Sequence, residues 1–182
     1  MESDIEKNFQ AILEHIEPDS HARLEKTPKR AAIALNDFFS GYERNIDEIT
    51  QAIYDSPMND IVVLRNIPFE SHCEHHLVPI VGSATVGYIP NGKIIGASKL
   101  ARIVDCFSRR LQLQERMTMQ IADVIAAALD PLGVAVYIDA EHFCISHRGV
   151  KKRGARFVTK YFLGVLKDNY QLRAEFLSEC VR

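Results

Sequence analysis

The sequence predicts an α+β fold with an antiparallel sheet, and three observations support this. Helical periodicity dominates the N-terminal part of the chain, where apolar residues recur three and four positions apart. From residue 61 onward, short runs rich in β-branched residues alternate with turn signals. Two long helical patterns then separate the first pair of strands from the second. This order predicts a four-stranded antiparallel sheet with two helices inserted after its second strand and N-terminal helices before it.

Each element has its own local signal. Asp4 is a good N-cap for the first helix, Thr27-Pro28 predicts N-cap and N1 of the next, and Gly41 ends it near Ser40. The expected helices cover residues 5–17, 27–40, 47–54, 112–129 and 170–181, with another carrying residues 100–107. The expected strands cover residues 61–64, 81–89, 93–95, 134–138 and 157–165. We predict an N-terminal helical region over residues 1–58 and a second domain over 59–182, forming one structural unit.

Composition places the chain among globular proteins. Its 182 residues are 47% hydrophobic and 25% charged, and a chain of this size buries a core without needing disulfides. The formal net charge of −2 argues against bulk attraction to nucleic acid or to an anionic membrane. No apolar run approaches the ~20 residues of a membrane span, and the first residues do not resemble a signal peptide. We therefore expect a cytoplasmic enzyme whose cysteines are thiols or metal ligands.

A cluster of potential metal ligands lies in residues 71–76, Ser-His-Cys-Glu-His-His. A thiolate and an imidazole three positions apart, such as Cys73 and His76, can bind one metal ion from a single turn. His72, His75 and His76 cannot all be ligands. At least one of them is therefore available for proton transfer near neutral pH.

A second thiolate with an imidazole beside it occurs at His142-Phe143-Cys144. We expect the preceding strand to continue through this segment, which would place alternate residues, His142, Cys144, Ser146 and Arg148, on one face. Cys144, Cys73 and one histidine of the first cluster give three ligands and leave a position for water, as in catalytic zinc sites. A closed structural site of Cys73, His76, His142 and Cys144 is the alternative.

Two segments are candidates for binding an anion. Ser98 and Lys99 lie at an expected helix start, where free N–H groups and the helix dipole favour negative charge, and Arg102 follows one turn later. N-capping by Ser98 is the alternative. The basic loop over residues 147–156 suits a polyphosphate or RNA, although a solvated loop is the simpler explanation.

Other single residues have simple explanations as well. Glu115 lies near a helix start, where a carboxylate interacts favourably with the dipole. Lys29 and Arg30 fit a solvated helix face, and Cys106 and Cys180 resemble small buried hydrophobic residues.

Taken together, these segments resemble the GTP cyclohydrolase I family from Thr27 onward. The motifs that carry the resemblance are Thr27-Pro28-Lys29-Arg30, Cys73-Glu74-His75-His76, residues 95–102 (IGASKLAR), residues 112–116 (QLQER), and His142-Phe143-Cys144 through Arg148-Gly149. The resemblance implies a tunnelling fold, and a homodecamer of two stacked pentamers with active sites at subunit interfaces. Lys160 and Tyr161 depart from the family, which has small hydroxylated residues at these positions.

The resemblance also implies the chemistry. GTP and water would give 7,8-dihydroneopterin triphosphate and formate, the first step of pterin and folate biosynthesis. Zinc would be held by the residues Cys73, His76 and Cys144, with water in the open position. Proton transfers would fall to His75 and His142, and Ser98 could assist opening of the ribose. Glu115, with Gln114 beside it, would recognise guanine, and the triphosphate and ribose would be bound by Lys99, Arg102, Arg148 and Arg30.

Three other functions compete with this one. A relative could stop at a formylated or ring-opened intermediate, a protein of the same fold could bind nucleotide and zinc without catalysis, and the basic loop could bind RNA. The joint presence of both clusters weighs against a non-catalytic protein. The slightly negative net charge and the lack of any RNA-module signature weigh against RNA binding.

Overall fold

A computed structural model describes residues 3–19 and 21–180, and within them the chain is an α+β protein. It divides into two compact units, the first ending at Ser40 and the second beginning at Gly41. The predicted domains, with a boundary after residue 58, stay a prediction. Within the described ranges no helix is long and apolar enough to cross a membrane.

Helices make up the first unit. They are α1 (Asp4–Ile16), α2 (His21–Leu24) and α3 (Thr27–Phe38). The hydroxyl of Ser3 accepts a hydrogen bond from Glu6 N at 3.2 Å, so Ser3, not Asp4, is the N-cap of α1. The prediction of an N-cap at Thr27 is also wrong, because Thr27 is already helical and Lys26 precedes it without a side-chain cap.

The second unit contains the sheet. After a 3₁₀ helix (Ser40–Glu43), its elements are α4 (Ile46–Thr50), β1 (Ile53–Asp55), β2 (Val62–Cys73), β3 (Pro79–Ile89), β4 (Lys93–Ile95), α5 (Ala97–Ser108), β5 (Leu111–Gln112), α6 (Gln114–Leu129), β6 (Gly133–His142), α7 (Phe143–Ser146), β7 (Phe157–Gly164), α8 (Val165–Asp168) and α9 (Tyr170–Cys180). The order confirms that α5 and α6 are inserted between β3 and β6.

The main sheet has five strands, one more than the predicted four, in the order β5-β2-β3-β6-β7. The four long strands pair antiparallel, as predicted, whereas β5 pairs parallel with the end of β2. A separate antiparallel pair joins β1 to β4. The prediction missed β5 because two residues between helices carry no alternation that periodicity can detect.

β2 is much longer than the predicted strand over residues 61–64. Its pairing with β3 is irregular between Leu64 and Ile67, where Asn66 adopts a φ of 55°. This irregularity and Pro68 interrupt the sequence alternation, yet the strand continues to Cys73. The first half of the histidine-rich cluster is therefore on a strand, and only the residues after Cys73 form a loop.

β6 ends at His142, so the prediction that the strand continues through Cys144 is wrong. Residues 143–146 form the helical turn α7, and His147 N donates to Phe143 O at 3.0 Å. The expected sharing of one strand face by His142, Cys144, Ser146 and Arg148 does not occur.

The core lies between the sheet and the helices α5 and α6. Residues such as Ile103, Met117, Ile121 and Val136 are fully buried there, and Tyr161 packs against their edge. On the other sheet face, Phe176 of α9 is buried against Gly87, where a Cβ atom would lie 2.8 Å from its ring.

Candidate active site

Three potential metal ligands meet at one end of the sheet. The ligand atoms of Cys73, His76 and Cys144 all lie within 4.8 Å of one another. The strand register explains this meeting, because the start of β3 pairs on one side with the end of β2 and on the other with the end of β6. Both cysteines therefore sit beside the first residues of β3, although they are far apart in sequence.

The loop after Cys73 is a tight turn. His76 N and Leu77 N donate to Cys73 O at 3.3 and 2.8 Å, and Cys73 N donates to Val78 O at 2.9 Å. Leu77 adopts a φ of 56°, which is uncommon for a bulky residue. These bonds place His76 Nδ1 3.9 Å and His75 Nδ1 3.8 Å from Cys73 Sγ.

Two thiols and one imidazole are a donor set that suits zinc. Tetrahedral zinc has Zn–S bonds of about 2.3 Å and Zn–N bonds of about 2.0 Å, which the observed separations accommodate with small side-chain shifts. Cys73 is buried while His76 is exposed, so the cluster has a wall of protein on one side and an open approach on the other. Burial, and next the neighbouring Cys73 thiol, raise the pKa of Cys144. Metal binding there would release protons.

His142 is held by a buried amide. Its Nε2 lies 2.8 Å from Oε1 of Gln114, and Gln114 is completely buried. Nε2 of Gln114 bonds to Phe157 O at 2.9 Å, Thr159 Oγ1 at 3.0 Å and Ile138 O at 3.2 Å. These acceptors fix the amide orientation, so its oxygen faces His142 and His142 Nε2 carries the proton.

This hydrogen bond leaves Nδ1 as the nitrogen of neutral His142 that can accept a proton. Burial lowers the pKa of His142, and the charge of Glu115 partly opposes that effect.

A small pocket adjoins the cluster. Its volume is about 160 Å³, and its lining includes six of the residues predicted for the site: Cys73, His75, Gln114, Glu115, His142 and Cys144. Typical ligand pockets measure ~300–1,000 Å³, so this pocket has room for part of a nucleotide and not for a whole triphosphate. Glu115, which the resemblance assigns to guanine recognition, is exposed on the first turn of α6.

The other predicted site residues lie outside this pocket. Ser98 and Lys99 are at the start of α5 and Arg102 is in its middle, and the 12-residue helix of ~18 Å separates that start from β5. Gly96 is the N-cap of α5 and no side chain caps it, so the alternative of N-capping by Ser98 is wrong. Arg148 is exposed in the loop after α7. Arg30 belongs to the first unit, on α3.

Sequence reasoning missed two features of this site. It did not foresee that Gln114 is a partner of His142, because the contacts of Gln114 lie 24 to 45 positions away along the chain. It also missed Arg116, whose guanidinium bonds to Glu74. The only signal for Arg116 was its position four residues after Gln112 in the helix predicted over residues 112–129. In the structure Gln112 belongs to β5 and α6 begins at Gln114.

The fold and the site define a class: an α+β protein with a Cys/His/Cys metal-ligand cluster beside a pocket that contains an amide-held histidine. The GTP cyclohydrolase I family model matches residues 5–181. The chain belongs to the GTP cyclohydrolase I family.

Curated relatives agree with this assignment, and a solved structure shares the fold. The chain is 44% identical to GTP cyclohydrolase 1 of Methylococcus capsulatus, covering 97% of both sequences. It is 45% identical to GTP cyclohydrolase 1 of Pelagibacter ubique, covering 97% of this chain and 89% of the relative. The crystal structure of an archaeosine synthase QueF-Like has a similar fold, with a TM-score of 0.50, 22% identity, and coverage of 60% of this chain and 96% of that one.

Proposed function

We propose that this chain is a zinc-dependent hydrolase that converts GTP and water to 7,8-dihydroneopterin triphosphate and formate. The carrying observation is that one pocket is lined by Cys73 and Cys144, two members of the metal-ligand cluster that His76 completes, together with His142 and Glu115. Family membership supplies the substrate, and the donor set favours zinc. This reaction opens pterin and folate biosynthesis.

Three protein ligands leave one tetrahedral position for water, which is the arrangement of catalytic zinc sites. In the described part of the chain, the group of mutually close ligand atoms includes only Cys73, His76 and Cys144. That grouping favours the open site over the closed one that would add His142. When bound, zinc supplies Lewis-acid activation of water at neutral pH.

The chain's own residues would orient the base and move protons. Glu115 can accept hydrogen bonds from the ring N–H and the exocyclic amine of guanine, which adenine does not offer in that pattern. His142, fixed by Gln114, presents Nδ1 for proton transfer at the purine, and His75 is the second histidine at the pocket. Ser98, Lys99, Arg102, Arg148 and Arg30 would bind the ribose and triphosphate and so supply orientation.

We propose further that the active site is completed by another copy of the chain, in a homodecamer of two pentamers. The pocket is smaller than GTP, Glu115 is exposed, and Ser98 and Lys99 lie at the end of α5 that is remote from β5. β7 is an edge strand whose Phe157 and Val158 are 37% and 41% exposed. Exposed edges of this kind are sites where a neighbouring chain can pair.

A cytoplasmic location stays a prediction of the sequence.

The basic loop gives little support to RNA binding. Arg156 bonds to Asp139, with its Nε 2.7 Å from Oδ1 and its Nη2 2.9 Å from the carbonyl oxygen. This ties one of the loop's cations to the sheet, where it cannot contact a phosphate backbone freely.

The direct test is to incubate zinc-loaded protein with GTP, and to measure formate and, after oxidation, a fluorescent pterin. We expect both products in equal amounts, with neither from Cys144→Ser. A ring-opened or formylated product without formate would instead assign the chain to the shorter reaction. Absence of any conversion by zinc-loaded protein would contradict the proposed function.

A further inference from the structure

Backbone contacts join the metal-ligand turn to the segment that precedes Glu115. Cys73 is paired with Gln112 in the parallel bridge between β2 and β5, and Glu74 N donates to Gln112 O at 3.2 Å. After Glu74 the chain turns back on itself through His75 and His76. The backbone contacts with β5 therefore end at Glu74, the first residue of the turn that carries His75 and His76.

The side chain of Arg116 extends this connection. Its Nη2 lies 2.5 Å from Glu74 Oε2 and 3.3 Å from Leu111 O, and its Nε lies 3.1 Å from Gln112 Oε1. One guanidinium on α6 thus bonds to the metal-ligand turn and to both residues of β5. Only arginine has a planar fork of donors that can serve three acceptors at once.

The far side of this network is fixed in the core. Gln112 is 2% exposed, and its Nε2 donates to Phe107 O and to Gln120 Oε1, both at 2.9 Å. Phe107 lies on α5 and Gln120 lies on α6. Both core helices therefore hold the side chain of Gln112, whose Oε1 is the acceptor that Arg116 uses. Through Arg116 and Gln112, Glu74 is consequently connected to the helices of the core and not to another loop.

Glu74 and Arg116 themselves are not part of the pocket lining. Each is, however, adjacent in sequence to residues that are: Glu74 lies between Cys73 and His75, and Arg116 follows Glu115. Their side chains are 30% and 41% exposed, and ion pairs with that exposure contribute little to stability. The contact between Glu74 and Arg116 is therefore better explained by alignment of the two pocket walls, the metal-ligand turn and the start of α6, than by stability of the fold.

We propose that Glu74 and Arg116 are a positioning pair that holds the metal-ligand turn at a fixed distance and orientation from Glu115. The pair acts through its neighbours, so it touches neither metal nor base. This inference rests on the proposed function, in which Cys73 and His76 bind zinc and Glu115 binds guanine. Loss of the pair lets the two walls of the pocket move relative to each other, which impairs both the alignment of the base and the retention of metal.

The test uses four single variants of the zinc-loaded oligomer and the Glu74→Ala/Arg116→Ala double variant, with a matched control. Glu74→Ala and Arg116→Ala remove the pair, whereas Glu74→Gln keeps an acceptor oxygen and Arg116→Lys keeps the charge without the fork. Arg65→Gln is the control, because Arg65 forms an ion pair with Glu179 of similar exposure, 46% and 33%, and neither residue lines the pocket. The measurements are kcat and KM for GTP and for inosine triphosphate, which lacks the exocyclic amine, together with zinc affinity by chelator competition.

We expect Glu74→Ala and Arg116→Ala to lower kcat/KM for GTP about 100-fold, the scale on which ~1 Å misplacements act. The preference for GTP over inosine triphosphate should shrink, and zinc affinity should fall at least ~10-fold, as for other residues behind metal ligands. The double Ala variant should be no worse than the more impaired single variant. Glu74→Gln should be close to wild type and Arg116→Lys close to Arg116→Ala.

Other results would overturn the positioning role. If Glu74→Gln were impaired and Arg116→Lys normal, charge and not geometry would be the property that matters. If all four variants matched Arg65→Gln in nucleotide preference and zinc affinity, the pair would be only a surface contact. Failure of the wild-type protein to bind zinc or convert GTP would remove the proposed function itself, and this inference with it.

Discussion

The pocket and the start of α5 differ in how much of the site a single chain completes. At the pocket, the buried side-chain amides of Gln114 and Gln112 form hydrogen bonds within the protein. His142 and the metal-ligand turn are therefore already oriented. On α5, Ser98 and Arg102 are exposed. Under the proposed function, the groups for metal and base are therefore oriented within one chain, whereas the residues expected to bind phosphate would depend on a neighbouring subunit.

The largest effect should follow loss of a metal ligand. Cys73→Ser, His76→Ala and Cys144→Ser should each lose bound zinc and all turnover, because two remaining ligands hold zinc poorly. His142→Ala should keep zinc and lose turnover, since His142 is held by Gln114 and stands outside the ligand group. Zinc per chain is measured by elemental analysis after gel filtration. Stoichiometric release of zinc by His142→Ala would favour the closed four-ligand site.

The next largest effect should come from Glu115→Gln. Losing a carboxylate that receives two donors from the base leaves those donors unpaired, and polar sites of this kind discriminate by about 10⁴. We expect kcat/KM for GTP to fall by about that factor while fold, zinc content and oligomer stay intact. A carboxylate that served only the helix dipole would contribute about 0.3–1 kcal/mol to stability and leave turnover near normal. Steady-state kinetics measures the effect on turnover and thermal melting measures the effect on stability, so the two together separate these explanations.

A mixing experiment tests the contrast between the two regions. Arg102→Ala and Glu115→Gln proteins, each nearly inactive alone, are dissociated, combined and reassembled. If each site takes Glu115 from one chain and Arg102 from another, mixed oligomers contain some sites with both residues intact, and part of the activity returns. A matched mixture of Glu115→Gln with His142→Ala should recover nothing, because both residues line the pocket of one chain. No recovery in the first mixture would place Arg102 and Glu115 in sites of the same chain.

The smallest effect should follow Thr159→Val. Thr159 Oγ1 bonds to Gln114 Nε2 at 3.0 Å and to Thr118 Oγ1 at 2.7 Å. Because Gln114 Nε2 keeps two carbonyl acceptors, we expect a loss of about 1 kcal/mol in the free energy of unfolding and only a small change in kcat. Urea denaturation of the zinc-loaded protein measures the former. A large fall in kcat would mean that the amide loses its orientation without Thr159.

The sequence carried enough information for the long helices and for the order of the long strands, because α1, α5 and α6 have regular apolar periods. The helix predicted over residues 47–54 is wrong in its second half, since α4 ends at Thr50 and Ile53–Asp55 form β1. Periodicity failed where the backbone is irregular: at the bulge near Asn66 and at the helical turn that contains Cys144. Residue type and spacing predicted a site of Cys73, Cys144 and one histidine of the first cluster, and the family resemblance named His76. The ligand atoms of these three residues lie within 4.8 Å of one another, and their role as metal ligands stays a prediction. The contacts of Gln114 and Arg116 with distant partners could not be foreseen, since nothing in local sequence reports them.

The state of the four cysteines has a practical consequence for chemical labelling. Cys106 is fully buried, and burial raises the pKa of Cys180 to about 11, so at pH 8 on the order of one Cys180 side chain in a thousand is a reactive thiolate. Both should resist alkylation in the native protein. Alkylating reagents should therefore modify Cys144 first, because it is only partly buried whereas Cys73 is buried, and only after a chelator has removed the metal. The fraction of Cys144 that is modified then measures the fraction of empty metal centres.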